Sequence, residues 1–269
     1  MNKIGLKYPI VLVHGFLAKD SGSQNSWGGL PEYLRNKGNK VFFGNQKAMA
    51  TIEENAQILT ENIKKIAEEN GGKVNIFAHS KGGLEARYAI SCLGLDKYVA
   101  SLTTFNTPHR GCEVIDSAMQ KWSIHTQNFV YKLLNFITKH FFHEVGDSKK
   151  VLSQLRPGFC KKFNESVKDK KNVFYQSVSS IVRNYKPKHI LFFPLQPMIR
   201  KYSRNNDGLI TTKSEKWGKR CFIINKNKKI SIAHDETVRF PKKENKSKTF
   251  ILLNDFYIQL INNMVNAGL

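Results

Sequence analysis

Cysteine is scarce in this chain, and its spacing is not that of a zinc site. The 269 residues include four cysteines, and no two of them form a C-x-x-C pair. This spacing argues against a zinc site, and a chain of this size needs no disulfide scaffold to fold. We therefore expect Cys92, Cys112, Cys160 and Cys221 to be free thiols in a reducing environment.

Long apolar runs are also absent. The apolar run at residues 10–13 is far too short to cross a bilayer, and it lacks the cleavage site of a signal peptide. We therefore expect either a cytoplasmic protein or a secreted one whose signal has been removed. There is no internal repeat and no linker-like segment, so residues 1–269 are expected to form one domain.

Acidic residues are few. The chain has 21 Asp and Glu against 43 Lys and Arg, a net charge of +22, and most of the excess follows residue 110. Such a surface attracts anionic partners, either an anionic lipid surface or nucleic acid. No nucleic-acid motif accompanies the charge, so nucleic-acid binding is not expected, and no protein partner is predicted. The alternative is a solvated, lysine-rich surface without any partner.

The apolar residues that are present predict alternating strands and helices. Apolar runs at residues 8–16, 40–43, 74–78 and 99–105 indicate buried strands. A helix is predicted over residues 52–69, where Thr51 and Glu54 form a capping box, and a second over residues 80–90. This order predicts an α/β fold, with a mostly parallel sheet covered by helices on both faces.

The second half of the chain is expected to complete that sheet after an insertion. Residues 113–145 mix large apolar side chains with Lys and His, which indicates one or two amphipathic helices. Later strands are predicted at residues 172–180 and 220–225, and a closing helix around residues 250–264.

One short motif suggests a catalytic serine. Residues 78–82 read Ala-His-Ser-Lys-Gly and join a predicted strand to a predicted helix. A turn this tight needs small residues two positions before and two after the serine, as in the G-x-S-x-G nucleophile elbow. Ala78 replaces the first glycine with the next smallest side chain. Ser80 is therefore the candidate nucleophile, held at the positive end of a helix.

A serine nucleophile needs a base, which in turn needs an acid. In this fold the chain order is Ser, then the acid, then His. His234 is the last of the eight histidines and is our candidate base, preceded by a strand-like segment at residues 230–233. Asp207 is the candidate acid, although an ordinary Asp-Gly turn is the better explanation when this motif is taken alone. Asp235 and Glu236 lie too close to His234 in the chain to reach its far nitrogen easily.

When a serine attacks an acyl carbonyl group, the carbonyl oxygen becomes an oxyanion, which needs two hydrogen-bond donors. The backbone N–H that follows the nucleophile belongs to Lys81. The second donor is expected from the loop after the first strand, where His14 and Gly15 are followed by Phe16. We therefore predict the N–H groups of Phe16 and Lys81 as the oxyanion hole.

Several motifs together resemble the bacterial triacylglycerol lipases of the α/β-hydrolase fold. They are YPIVLVHGF at 8–16, KVNIFAHS at 73–80, GGLEARY at 82–88, VASLTTFNTPHRG at 99–111 and NDGL at 206–209. The resemblance is strong over residues 8–111 and weak over 170–240. It implies the same roles for Ser80, Asp207 and His234, and a helical lid at residues 112–160. It implies no organic cofactor, with a possible structural calcium near Glu236 and Asp235.

The function expected from these observations is hydrolysis of fatty-acyl esters by a lipase through an acyl-enzyme. The alternatives on the same fold are a short-chain carboxylesterase, a thioesterase, a phospholipase and an acyltransferase. A different class of alternative is an inactive hydrolase fold that binds lipids or anions.

Overall fold

A six-stranded parallel sheet forms the centre of the molecule. A computed structural model of the chain describes residues 5–22, 25–183, 196–241 and 247–269. Within them the strands are β1 (Ile10–Val13), β2 (Val41–Phe43), β3 (Val74–His79), β4 (Val99–Phe105), β5 (Phe174–Ser179) and β6 (Arg220–Ile223). Their order is β2-β1-β3-β4-β5-β6, and every neighbouring pair is parallel. The predicted α/β-hydrolase architecture is thereby confirmed.

Helices connect the strands. They are α1 (Leu30–Asn36), α2 (Ile52–Glu69), α3 (Lys81–Cys92), α4 (Glu113–Lys121), α5 (Ile124–Ile137), α6 (Ser148–Gln154), α7 (Pro157–Ser166), α8 (Gln196–Tyr202), α9 (Thr212–Glu215) and α10 (Lys248–Val265). A 3₁₀ turn at Leu95–Lys97 precedes β4, and a π-helical turn at Thr138–Phe142 follows α5. None of the helices in the described ranges is both long and apolar enough to cross a membrane.

The two faces of the sheet carry separate cores. On one face, side chains such as Leu12 and Phe77 pack against α1 and α10. On the other, side chains such as Val11 and Ile76 pack against α2 and α3. Successive side chains of a strand point to opposite faces, and here both faces are dry. This explains why the strands read as continuous apolar runs rather than as alternating ones.

The helix α2 begins where the sequence predicts. The Thr51 side chain accepts a hydrogen bond from the Glu54 N–H at 3.3 Å, and the Glu54 carboxylate accepts one from the Thr51 N–H at 2.8 Å. These reciprocal bonds satisfy two backbone donors that a helix start leaves unpaired. The bond from the Thr51 N–H, together with one from the Thr51 hydroxyl at 2.8 Å, lowers the pKa of the Glu54 carboxylate.

Some predicted elements differ from the structure. The strand expected over residues 8–16 is β1, which is only four residues long, because the chain turns away at His14. Residues 230–233 lie outside any strand. This segment contacts the end of the sheet through an Ile232 N–H bond to the Ile181 carbonyl at 3.2 Å. The helices α1, α8 and α9 have no counterpart in the prediction, whereas α6 and the start of α7 lie within the helical lid predicted at residues 112–160.

The cysteines and the inserted helices follow the expectation. All four cysteines are free thiols, two of them buried. Burial raises the pKa of Cys112 and of Cys160 to about 12, so neither thiol is a nucleophile at neutral pH. The amphipathic region at residues 113–145 forms α4, α5 and the π-helical turn.

Candidate active site

Ser80 lies at the sharp turn between β3 and α3. Its backbone has φ 54° and ψ −129°, a conformation that a residue with a side chain adopts only under strain. The Ser80 N–H is bonded to the Phe105 carbonyl at 2.9 Å, which fixes the turn to the neighbouring strand β4. The strained turn and the first residue of α3 therefore hold the hydroxyl at the carboxyl edge of the sheet.

The turn requires a small residue at position 82. A Cβ atom on Gly82 would lie 2.3 Å from the His14 carbonyl oxygen and 2.8 Å from that of Val13. Only glycine therefore lets α3 pack this closely against the end of β1. Ala78, on the other side of the serine, is fully buried within β3.

The three residues predicted as a triad come together in one line. His234 Nε2 lies 2.9 Å from Ser80 Oγ, and His234 Nδ1 lies 2.5 Å from Asp207 Oδ2. The two contacts join residues that are 154 and 27 positions apart in the chain. Asp235 and Glu236, the alternative acids, do not take the place of Asp207 at Nδ1. This geometry is that of a nucleophile, a general base and an orienting acid.

Asp207 is held as an anion. Its Oδ1 accepts hydrogen bonds from the backbone N–H groups of Leu209 at 2.9 Å and Ile210 at 2.7 Å. Its Oδ2 accepts one from Asn106 Nδ2 at 2.9 Å, besides the bond to His234. Burial alone would raise the pKa of Asp207. The charge and hydrogen bond of His234 outweigh burial and hold the pKa below its ordinary value.

The surroundings of His234 raise the pKa of its imidazole. Burial lowers the pKa of His234, but the charge of Asp207 and its hydrogen bond outweigh burial and raise the pKa above 6.5. A second histidine packs against His234. His79 Nε2 lies 2.9 Å from the His234 carbonyl oxygen, and the centres of the two rings are 4.9 Å apart. Burial and the neighbouring His234 lower the pKa of His79 to about 3, so this ring stays neutral. Nothing in the sequence pattern predicts this contact of His79.

The segments that carry the two predicted oxyanion donors adjoin Ser80. A Cβ atom on Gly15 would be 2.8 Å from Ser80 Cβ, so the loop that carries the Phe16 N–H runs directly beside the nucleophile. Lys81 is the first residue of α3, where backbone N–H groups have no acceptor within the helix. Gln46 fixes the loop before Gly15, because its Nε2 donates to the His14 carbonyl at 2.8 Å.

The Lys81 side chain points away from the site. It is 2% exposed, its Nζ donates to the Ala50 carbonyl at 2.7 Å, and it forms an ion pair with Glu85. Asn55 Nδ2 donates to the same Glu85 oxygen at 2.8 Å. The lysine side chain therefore attaches the start of α3 to the segment before α2.

Two further residues lie behind Asp207. Asn106 has a positive φ of 50° at the end of β4, and its Nδ2 donates to Glu215 Oε1 at 2.7 Å as well as to Asp207. Both Asn106 and Glu215 are fully buried. Sequence reasoning missed them, because Glu215 reads as an ordinary charge in the short polar helix α9.

The predicted calcium position has other contacts. Asp235 Oδ2 lies 3.6 Å from Arg239 Nη1, and Glu236 Oε2 accepts a hydrogen bond from the Ala233 N–H at 2.9 Å. In the described ranges, no third acidic, His or Cys side chain joins them within reach of one ion. Calcium binding at Glu236 and Asp235 therefore stays a prediction, for which the described residues supply no further ligands. No catalytic step depends on it. Acyl transfer by this kind of triad needs no organic cofactor.

Comparisons with known proteins identify a matching family and several relatives. A family model described as palmitoyl protein thioesterase matches residues 9–184, which is more than half of the chain. Triacylglycerol lipase 2 of Saccharomyces cerevisiae is 28% identical over 265 residues, covering 90% of this chain and 74% of the yeast protein. A triacylglycerol lipase of Pseudarthrobacter phenanthrenivorans is 34% identical over 116 residues, covering 41% of this chain and 36% of that protein. The chain thus aligns with only about a third of this bacterial relative.

Solved structures show the same fold at low identity. The Staphylococcus hyicus lipase superposes with a TM-score of 0.69 at 17% identity, covering 97% of both chains. The mature Bacillus licheniformis lipase BlEst2 gives a TM-score of 0.67 at 19% identity, covering 94% of this chain and 91% of that one.

The relatives are ester hydrolases, and the predicted serine ester hydrolase activity agrees with them. This protein is therefore an enzyme of that class. Since the family model covers most of the sheet and the nucleophile elbow, the chain belongs to the palmitoyl protein thioesterase family.

Proposed function

We propose that the protein is a lipase that hydrolyses fatty-acyl esters of glycerol through an acyl-enzyme on Ser80. The observation that carries the proposal is the continuous line from Ser80 Oγ through His234 to Asp207, with contacts of 2.9 and 2.5 Å. The choice of ester follows the relatives, whose names state that they are triacylglycerol lipases.

The reaction begins with transfer of the Ser80 proton to His234 Nε2 while Oγ attacks the ester carbonyl carbon. The carbonyl oxygen becomes an oxyanion, which accepts hydrogen bonds from the N–H groups of Phe16 and Lys81. When the tetrahedral intermediate collapses, the bond to the glycerol oxygen breaks and His234 donates its proton to that oxygen. The fatty acyl group remains bonded to Ser80.

The second half of the reaction repeats these steps with water. His234 takes a proton from water, whose oxygen attacks the acyl carbon, and then returns a proton to Ser80 as the fatty acid leaves. Asp207 holds His234 with Nε2 facing Ser80 and stabilises the charged imidazolium in both halves.

We also propose that the lid predicted at residues 112–160 centres on α4, α5 and the π-helical turn. The helix α5 buries none of its residues, and Phe129, Leu133 and Phe136 on it are 45–67% exposed. On its other side, Tyr131 and Leu134 pack in the same cluster as Phe16 of the oxyanion loop. A helix that is apolar on both sides next to the nucleophile is suited to contact a lipid phase.

The end of this lid is attached to the loops around the site. Lys19 Nζ donates to the Phe142 carbonyl at 2.6 Å, and Glu144 accepts a hydrogen bond from the Ala48 N–H at 2.8 Å. By contrast, α6 and α7 bury Leu152, Cys160 and Phe163 in the core. The part able to move therefore ends near residue 142, earlier than the predicted boundary at residue 160.

The charge of the lid favours an anionic lipid surface as the place of action. No acidic residue lies between Asp116 and Glu144, whereas Lys121, Lys132 and Lys139 are exposed. Attraction of these lysines to anionic headgroups adds to the burial of the aromatic rings.

The test is hydrolysis of p-nitrophenyl esters from acetyl to palmitoyl and of an emulsified triacylglycerol. We expect turnover of long esters, and a loss of about 10³-fold or more in Ser80→Ala. Ser166→Ala, an exposed serine on α7, is the matched control. Turnover limited to short esters would indicate a carboxylesterase, and no serine-dependent turnover would refute the proposal.

A second candidate is hydrolysis of fatty-acyl thioesters, which the description of the matching family favours. The same triad would attack a thioester carbonyl, and the leaving thiolate needs less protonation than an alkoxide. Thiol release from palmitoyl-coenzyme A, compared with p-nitrophenyl palmitate at equal concentration, separates the two. A kcat/KM at least about tenfold higher for the thioester would make thioesters the preferred substrate class.

A further inference from the structure

Two carboxyl groups share the buried space behind the catalytic histidine. Asp207 and Glu215 are both fully buried. Asn106 Nδ2 donates to both, at 2.9 Å to Asp207 Oδ2 and at 2.7 Å to Glu215 Oε1. One oxygen of each carboxyl and one ring nitrogen of His234 all lie within 4.8 Å of one another. The acid of the triad is therefore part of a carboxyl pair.

In the part of the chain that the structure describes, His234 is the one group near this pair that can carry a positive charge. Among the residues that the structure describes, no Lys or Arg forms an ion pair with either carboxyl, and His234 pairs with Asp207 alone. Two carboxylates this close in a dry site repel each other, and burial penalises each charge. One of the two therefore holds a proton at neutral pH, as two carboxyls that share a site generally do.

The hydrogen bonds decide which carboxyl holds the proton. Asp207 accepts from four donors: two backbone N–H groups, Asn106 and His234. Glu215 has fewer donors: its Oε1 accepts from Asn106 at 2.7 Å, and the Ser179 hydroxyl is the other donor close to its carboxyl group. Donors stabilise a carboxylate, so the charge belongs to Asp207 and the proton belongs to Glu215. In agreement, burial and the charge of Asp207 raise the pKa of Glu215 well above its ordinary value.

We propose that Glu215 is a positioning residue of the catalytic site: a neutral carboxyl that, through the shared amide of Asn106, holds Asp207 as the single anion behind His234. This inference rests on the triad of the proposed function. Glu215 suits this position because its neutral carboxyl group is polar but carries no charge. It fills the site and gives Asn106 an acceptor besides Asp207 and Ser180, but adds no second negative charge next to the base.

The charged and titratable groups around the pair are few. Facing Glu215 are Asp207 from the turn before α9 and His234 from the loop after β6. The ends of β4 and β5 contribute neutral Asn106 and Ser179. Facing His234 there are, in addition, Asp235 and the neutral His79. Lys213, on the same helix as Glu215, is exposed.

The test compares Glu215→Gln with Glu215→Ala in the full chain. A glutamine matches the neutral acid in shape: its Oε1 accepts from Asn106, and its amide replaces the hydroxyl. Alanine removes both groups and frees Asn106 to turn. With a soluble p-nitrophenyl ester at pH 8, we expect the Gln variant within about threefold of wild type in kcat. The Ala variant should lose at least about tenfold in kcat with KM little changed.

The dependence of kcat/KM on pH distinguishes this role from a merely structural one, which would not change it. Because Glu215 is neutral, Gln should leave the acid limb of kcat/KM within about 0.3 pH units of wild type. If Glu215 were ionised, Gln would remove a negative charge near His234 and shift that limb down by about one unit or more. Such a shift, or an Ala variant as active as wild type, would overturn the proposal.

Two controls keep the result interpretable. Asn106→Ala, which removes the bridging amide but no carboxyl, should lower kcat in the same direction as Glu215→Ala. If the Ala variants fail to fold, as judged by circular dichroism, the Gln profile alone decides. Ser80→Ala separates the role of Glu215 from the proposed function. If this variant retains turnover, the proposal that Ser80, His234 and Asp207 form the catalytic triad is refuted. If it is inactive while Glu215→Ala remains fully active, only the role of Glu215 fails.

Discussion

His234 Nδ1 lies 2.5 Å from Asp207 Oδ2, and this bond determines both the tautomer and the charge of the base. With the Nδ1 proton directed at Asp207, Nε2 is left as the acceptor that faces Ser80 Oγ at 2.9 Å. The Asp207 carboxylate is in turn fixed by two backbone N–H groups in its own turn. The NDGL segment is therefore a built anion site, not an ordinary surface turn.

Replacing Asp207 by Asn should reduce kcat by a factor on the order of 10³–10⁴ with little loss of fold. The amide keeps the size of the side chain, but its NH₂ group can donate to Nδ1 and so stabilises the wrong tautomer. The measurement is kcat for a soluble p-nitrophenyl ester, with a thermal melt to check folding.

Asp235→Asn is the matched control for that variant. Asp235 is next to His234 in the chain, and its charge also raises the pKa of His234, but it is not bonded to the ring. We expect Asp235→Asn to stay within about fivefold of wild type. An equal loss in both variants would contradict the assignment of Asp207.

The pH dependence of wild type follows from the raised pKa of His234. Catalysis needs the neutral imidazole, so activity is lost as the pH falls through that raised pKa, and the midpoint of kcat/KM should lie above 6.5. In Asp207→Asn the charge that raises the pKa of His234 is absent. The midpoint of kcat/KM for the remaining activity should therefore move to lower pH. A wild-type midpoint below 6.5 would show that Asp207 does not act on the base in this way.

Most of the fold follows from local patterns in the sequence. The helix α2 begins and ends at the predicted residues, because its capping box and apolar periodicity are both contained within 18 residues. The strands β3 and β4 were recognisable as continuous apolar runs. The polar helix α9 was not, since four residues give no periodicity.

The site was predictable where chain order and chemistry restrict the choice. Ser80 is in a motif, and His234 is the last histidine in the chain. Glu215 was not predictable, because its proximity to Asp207 depends on how the turn before α9 lies against β4. The role of Gly15 depends likewise on the 2.8 Å approach to Ser80, which only three-dimensional packing defines.

Arg87 should be a strong determinant of stability. Its side chain is fully buried, with the guanidinium 3.6 Å from the centre of the Trp217 ring and bonds to Asn164 at 2.9 Å and the Val167 carbonyl at 3.1 Å. Lysine cannot reproduce this planar set of donors. Arg87→Lys is expected to lower the free energy of unfolding by about 2–3 kcal/mol in urea titrations.

Arg220 provides the control for Arg87. It also lies over an aromatic ring, Phe174, at 5.7 Å, but it is exposed. Arg220→Lys should change stability by less than about 0.5 kcal/mol. Equal effects of the two substitutions would show that burial of the Arg87 guanidinium is not what stabilises this region.

The exposed rings of α5 should matter at a lipid surface and much less in solution. Phe129 is 67% exposed and Phe136 is 55% exposed, so replacing both by Ser removes few contacts within the protein. At an emulsion each ring would be buried, and losing both should lower the rate on emulsified triacylglycerol at least about tenfold. The rate on soluble p-nitrophenyl butyrate should change by no more than about threefold. Ile251→Ser, a 49% exposed residue on α10, is the control for a general loss of surface apolarity. An equal fall on both substrates, or no fall on the emulsion, would mean that α5 does not contact the lipid phase.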